Sequence, residues 1–177
     1  SFNRLSNILK SAGAVLGKQT VINYVGYMMD SYMLFTLQNY AAKLVEKETS
    51  PKYYFMDTGL LGLMLMDCSS AQLENLVAIE LIRRYGRENV FYFEKNVEID
   101  FYVPEEKLAI QVSLQVLDQI DTREREIGAF VKLKNFIGDA TCLLITNSEE
   151  EELDYEGVHV SVVPVWKWLL QNRKQDI

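Results

Sequence analysis

The chain has 177 residues, 49% of them apolar, and a formal net charge of −7, which suffices to pack one medium domain or two small ones. No apolar run approaches the roughly 20 residues of a membrane span, and no basic region followed by an apolar stretch marks a signal peptide. No membrane contact is therefore expected, and a cytoplasmic location is. The charge is uneven: residues 1–60 hold six Lys/Arg and four Asp/Glu, about +2, whereas residues 61–177 hold twelve and twenty-one, about −9. That asymmetry suggests two units.

An acidic chain is a poor general binder of nucleic acid, because phosphate neutralisation supplies most non-specific affinity. The single histidine, His159, excludes a histidine-rich zinc site. Cys68 and Cys142 lack metal-ligand spacing and read as reduced core residues of a cytosolic protein. The chain opens on an amphipathic segment, which suggests a fragment of something longer.

In "SFNRLSNILKSAG", Leu5, Ile8, Leu9 and Ala12 recur at helical spacing and Gly13 supplies a stop. "GKQTVINYVGYMMDSYML" repeats the pattern with Val21, Tyr24, Val25, Met28, Met29 and Tyr32. "LFTLQNYAAKL" and "KYYFMDTGL" read as strands around the charged loop "VEKETSPK". Helix, helix, hairpin is the order of a winged-helix unit, expected over 1–66. Its second helix offers Lys18, Gln19 and Asn23 as nucleic-acid-binding residues. The alternative is a packing or protein-contact module, because Lys47 and Lys52 are balanced by Glu46 and Glu48. The tyrosines of this unit, Tyr24, Tyr27 and Tyr32 among them, read as core more readily than as interface.

"GAVLGKQT" imitates a phosphate-binding loop. Gly13 and Gly17 are three residues apart where that motif needs four, Gln19 follows Lys18, and no strand precedes. This chain is expected to hold no ATP site of its own.

The second unit, expected over 67–177, begins with "AQLENLVAIELIRRYG", a helix apolar nearly all round and therefore buried. "NVFYFEK" follows as a strand, then "VEIDFYVPEEKLAIQVSLQ" as a hairpin with "PEEK" at its tip. "TREREIGAFVKLKNFIG" is an amphipathic helix stopped by Gly138, and the apolar run "ATCLLITNS" reads as a buried parallel strand. "EEEELDYEG" reads as an acidic loop, "VHVSVVPV" as a strand and "WKWLLQN" as a closing helix.

Strand alternation places Val97, Ile99, Phe101 and Val103 on one face of the first hairpin strand, with Glu98, Asp100 and Tyr102 on the other. In the second strand Gln111 and Ser113 share a face opposite Ile110 and Val112. In register, Asp100, Gln111 and Ser113 converge, with Glu80 approaching from the preceding helix. The structural alternatives are a hydrogen-bonded Asp100 on a polar sheet face and a Glu80–Arg84 salt bridge at helical spacing.

A helix with Glu80, then "EIDF", then a strand carrying "QVS", resembles the PD-(D/E)XK nuclease-like fold of restriction endonucleases and Holliday-junction resolvases. "NRLSNILKSAG", "TVINYVGYMMDSYMLF", "YYFMDTGL", "ENLVAIELIRR", "EIDFYV", "TREREIGAF" and "VPVWKWLL" resemble, more closely, the domain C-terminal to the AAA module of archaeal and bacterial ATP-binding proteins. The resemblance implies an α/β (α+β) fold: a winged helix followed by a mixed restriction-endonuclease-like sheet flanked by helices. It also implies an AAA ATPase domain upstream in the full-length chain, where ATP would bind.

Nuclease chemistry on this pattern needs a divalent metal held by two acids, plus a lysine two residues after the second acid. Here Asp100, and Glu80 if it approaches, would hold Mg or Mn. The second-acid position is Gln111 and the lysine position is Ser113. The expected site of Glu80, Asp100, Gln111 and Ser113 is therefore degenerate, without enough charge to stabilise a phosphodiester transition state. The leading expectation is an accessory module that recognises DNA or another protein for the ATPase and uses no cofactor of its own. The alternatives are a live metal-dependent nuclease and a pure interaction domain.

Overall fold

The structure, a computed structural model, describes residues 2–14, 16–42, 51–64, 69–117 and 120–171. The expectations concerning Glu46, Lys47, Glu48 and Cys68 lie outside the described residues. In chain order the elements are α1 (Phe2–Ser11), α2 (Lys18–Asp30), β1 (Leu34–Asn39), β2 (Lys52–Phe55), α3 (Gly59–Met64) and α4 (Ser69–Tyr85). They continue as β3 (Phe91–Glu94), β4 (Glu98–Val103), β5 (Leu108–Val112), α5 (Ile120–Ile137), β6 (Thr141–Thr146), β7 (Glu151–Tyr155), β8 (Val158–Pro164) and α6 (Val165–Leu170). The expected stops hold: Gly13 and Gly138 take φ +88° and +77°, a left-handed conformation that costs glycine nothing at a helix end.

The fold is mixed α/β. The described strands form an eight-stranded sheet in the order β2-β1-β3-β4-β5-β6-β8-β7. β3, β4 and β5 run as an antiparallel meander. β6 is parallel to β5 and to β8, as its uninterrupted apolar sequence anticipated. The hairpin expected as a wing joins the same sheet, since β1 pairs parallel to β3 through Gln38–Phe91 and Asn39–Tyr92. The sheet thus runs through both units read from the sequence.

Two helical layers cover it. On one face Ile127, Phe130 and Leu133 of α5 pack with Ile99, Tyr102, Ala109, Leu144 and Val160. On the other, Val77, Ala78 and Leu81 of α4 and Trp168 of α6 pack with Phe35, Leu37, Phe101, Ile110 and Ile145. Burying each such large side chain contributes about 1.5–3 kcal/mol.

Three expectations are corrected. The acidic run is not only a loop: residues 151–155 form β7, which turns Leu153 inward and its acids to solvent. Such outward charge suits an edge strand, where it discourages pairing with other chains. The second hairpin strand stops at Phe55, and Gly59–Met64 is helical. Tyr24, Tyr27 and Tyr32 are exposed, whereas Phe35 and Tyr54 are core.

The edge strand β2 is closed by a side chain. Asn75 of α4, 3% exposed, accepts from Phe55 N at 2.8 Å and donates to Phe55 O at 2.9 Å. The amide takes the place of a missing neighbouring strand and fixes β2 against α4. Asn75→Ala leaves that backbone pair unsatisfied, and urea unfolding is expected to register a loss of about 1–3 kcal/mol. An unchanged midpoint and slope would mean the edge is satisfied by water.

Candidate functional site at the β4–β5 divergence

The site begins with an irregularity in β4. Phe91 pairs with Tyr102 and Phe93 with Ile99, so two steps on β3 face three on β4. This is a β-bulge around Asp100 and Phe101, the device that re-aims a side chain within a sheet. It corrects the simple alternation: Ile99 and Tyr102 belong to the α5-side core, whereas Phe101 and Val103 belong to the α4-side core. β5 keeps its alternation, with Ala109 on the α5 side and Ile110 on the α4 side.

Beyond Phe101–Ile110 the two strands exchange side-chain bonds. Asp100 N donates to Gln111 Oε1 at 2.9 Å, and Gln111 Nε2 donates to Glu98 O at 3.2 Å. In return Val112 N donates to Asp100 Oδ2 at 3.0 Å. Asp100 and Gln111 therefore meet as expected, but as a substitute for main-chain pairing. Both polar atoms of the Gln111 carboxamide are engaged.

The other two expected residues are elsewhere. Ser113 lies past the end of β5 and donates its hydroxyl to Gln115 O at 3.1 Å. Glu80 does not line the Asp100 cavity. It takes Arg84 Nε at 2.6 Å, the salt bridge anticipated as its structural alternative, and Arg83 Nε at 2.7 Å. Arg83 foremost, and Arg84, hold its carboxyl below the usual range against the opposing effect of burial. Arg84 also donates to Trp168 O and lies 4.1 Å from the Trp168 ring, so Glu80 secures α4 to α6.

Apart from Gln111 and Glu98, the residues that reach Asp100 were missed. A cavity of about 440 Å³ is lined by Glu74, Glu98, Asp100, Gln111, Arg125, Glu126 and Lys132, among others. Glu74 comes from α4, six residues before Glu80 and on a different face of the helix. Lys52, the first residue of β2, places its ammonium 2.7 Å from Glu98 Oε1, 3.6 Å from Asp100 Oδ1 and 4.0 Å from Glu74 Oε1. Tyr54 Oη donates to Glu74 at 2.9 Å, and Arg125 pairs with Glu126 at 2.6 Å.

The electrostatics follow. Burial first, then the Glu74 carboxylate, raises the Asp100 carboxyl to about 7, against the pull of Lys52 and the Val112 N–H. Burial acts to lower Lys52, but the Asp100, Glu98 and Glu74 carboxylates outweigh it and hold the amine above its usual value. Cys142 offers no nucleophile, because burial pushes its thiol up to about 11.

A divalent ion would need hard carboxylate oxygens with free lone pairs. Gln111 is neutral and spent on β4, Glu126 is taken by Arg125, and an ammonium already stands among the remaining acids. Among the described residues, no group of three His, Cys, Asp or Glu is arranged to hold a metal ion. The residues present do not fit a resident Mg or Mn.

On the first unit, Lys18, Gln19 and Asn23 are all exposed on α2. Gln19 Nε2 donates to Asn23 Oδ1 at 3.1 Å. Lys18 opens the helix after Gly17, preceded by α1 and not by a strand, so the imitation phosphate loop is a helix–helix connection. No described helix is long and apolar enough to cross a membrane.

Residues 2–72 match the model of a family described as a domain of unknown function (DUF8612). The chain is 32% identical over 180 residues to the uncharacterized protein MJ1544 of Methanocaldococcus jannaschii, a match covering 96% of this chain and 40% of that protein. The chain thus spans about two fifths of that relative's length. No solved structure matches it.

The Asp100 titration has a stability consequence. Its folded-state value, about 7, lies above the ordinary 3.8. The stabilisation from this group is complete below about pH 4, where both states are protonated, and is lost as pH rises through about 7. Asp100→Asn removes that loss. The melting temperature of the variant minus wild type is expected to rise between about pH 5 and pH 8, by roughly 3 °C or more at ~2–4 °C per kcal/mol. An identical difference at both values would mean that Asp100 titrates as an ordinary carboxyl.

Proposed function

We propose that this chain is an accessory recognition module of a larger AAA-family ATPase, built from a winged-helix part and a nuclease-like part that does not hydrolyse DNA. One observation carries the reading. At the position where hydrolysis needs a second carboxylate, the Gln111 carboxamide bridges Asp100 N and Glu98 O. A metal-activated water therefore lacks both its second acid and a free first one.

The order α4-β3-β4-β5-α5-β6, with Asp100 at a bulge of the central hairpin, supports the PD-(D/E)XK-like assignment of this half. Recognition is assigned to the exposed face of α2, where Lys18, Gln19, Asn23, Tyr24 and Tyr27 stand together. One lysine gives little phosphate attraction, so contact would be local and would draw on amide hydrogen bonds and aromatic area. A chain that spans 40% of its relative leaves room for an ATPase domain in the full-length protein.

The hydrolytic alternative, with Asp100 as metal ligand, has one observation in its favour: Lys52 supplies near Asp100 the cation that Ser113 lacks. That amine lies among the carboxylates, however, where it competes with a metal.

Branched and linear DNA incubated with the chain and Mg or Mn is expected to remain intact. Cleavage that disappears in Asp100→Ala would establish the nuclease instead. Fluorescence anisotropy at low salt is expected to register duplex binding at tens of micromolar, weakened several-fold by Lys18→Ala. No binding at that concentration would make a protein the partner.

A further inference from the structure

We propose that Lys52 is the resident cation of the Asp100 site, an ammonium standing where a divalent ion would otherwise sit, so that the site is closed to metal while the β2 strand is docked. The inference rests on taking the Asp100 cavity as the nuclease-like site. Its test reads metal binding without DNA, so it fails separately from the recognition reading.

The geometry is that of a central cation. Nζ lies within 4.0 Å of three carboxylates from two elements: Glu98 and Asp100 on β4 and Glu74 on α4. An ammonium offers three donors and no preferred coordination shell. It can serve carboxylates that are not arranged as metal ligands, which is the arrangement among the described residues. Lys52 Nζ also lies over the Tyr92 ring, 5.3 Å from its centroid, which adds cation–π attraction to the same position.

The source of the amine makes the arrangement informative. The lysine expected from sequence belonged to β5, where Ser113 stands. Lys52 arrives from β2, at the far edge of the sheet order and more than forty residues earlier in the chain. Its place depends on the β1–β2 pairing, in which Lys52 faces Leu37, and on Asn75, which holds Phe55. The hairpin thus delivers charge compensation to the nuclease-like half.

The ammonium is also able to leave. Its side chain is 25% exposed. Lys52 does not line the Asp100 cavity itself but reaches its carboxylates from a groove of about 800 Å³ between α1, α2 and the hairpin, with Phe2, Val25, Met28, Tyr53 and Glu94 among the walls. A retracting amine meets open space there, with the Glu94 carboxylate on its rim. Withdrawal would leave Glu74, Glu98 and Asp100 facing a polar cavity without their cation. A hard divalent ion is the ligand class such a set would take after rearrangement.

The test is Mn²⁺ binding by the purified chain, followed by electron paramagnetic resonance and calorimetry, with circular dichroism to verify folding. Wild type is expected to bind no Mn²⁺ below millimolar concentration. Lys52→Met and Lys52→Gln are expected to bind at least about tenfold more tightly, since removing the ammonium vacates the position and takes away a unit positive charge that repels an incoming cation. Asp100→Asn added to Lys52→Met is expected to abolish the gain. Tight Mn²⁺ binding by wild type, or none by either folded variant, would overturn the proposal. Failure of both variants to fold would overturn it as well, because a displaceable cation cannot be a requirement of the fold.

Discussion

The pairing of Asp100 with Gln111 is the constraint on which the rest of the site depends. β4 and β5 keep their main-chain ladder as far as Phe101–Ile110 and then part. A backbone amide left bare inside a protein costs a lost hydrogen bond and its desolvation, about 1–3 kcal/mol. Here Gln111 satisfies Asp100 N and Glu98 O, and Asp100 satisfies Val112 N. The two side chains hold the strand ends while letting them diverge. The divergence opens the cavity into which Glu74 and Glu126 project from opposite helical layers.

A carboxyl placed at that opening needs compensation. Asp100 is largely buried and has Glu74, Glu98 and Glu126 around it, so it tends to keep its proton. Lys52 offsets the surrounding charge, and its own raised value reflects how far the carboxylates outweigh its burial. Deleting Lys52 would leave the largely buried Asp100 and the more exposed Glu74 and Glu98 without this ammonium. The same reasoning separates Glu80 from the site. With two guanidiniums on its carboxylate and Trp168 behind them, it is a fastening between α4 and α6. On the proposed reading, a scaffold suited to cutting phosphodiesters has had its acids tied to amides and ammonium, and its contribution is to present surfaces.

Much of the architecture was legible in the sequence. Helical spacing marked α1, α2, α4 and α5, the period-two runs around "PEEK" marked the central hairpin, and the unbroken apolar run marked β6 as a parallel strand. The meeting of Asp100 and Gln111 followed from pleating. What escaped depends on information that local pattern does not carry. β7 hid because an edge strand needs one inward residue, Leu153, and otherwise resembles an acidic loop. The bulge hid because one inserted residue leaves alternation intact on either side of it. Glu74 hid behind Glu80: both are acids of one helix, and which turn faces the sheet opening is set by tertiary packing. Lys52 stood in plain view, yet its partnership with Asp100 joins the edge of the sheet to its centre, and no spacing rule connects them. The charged context "PKYY" gave the only hint, a lysine opening a strand that carries the core residue Tyr54.

The central claim is that an amine, not a metal, compensates the Asp100, Glu98 and Glu74 carboxylates. A crystal of the chain soaked in manganese and measured at the manganese edge tests it most directly. The account expects no anomalous peak beside Asp100 and clear density for the Lys52 ammonium between Glu98 and Asp100. A peak coordinated by Asp100, with Lys52 turned out into the groove, would contradict it.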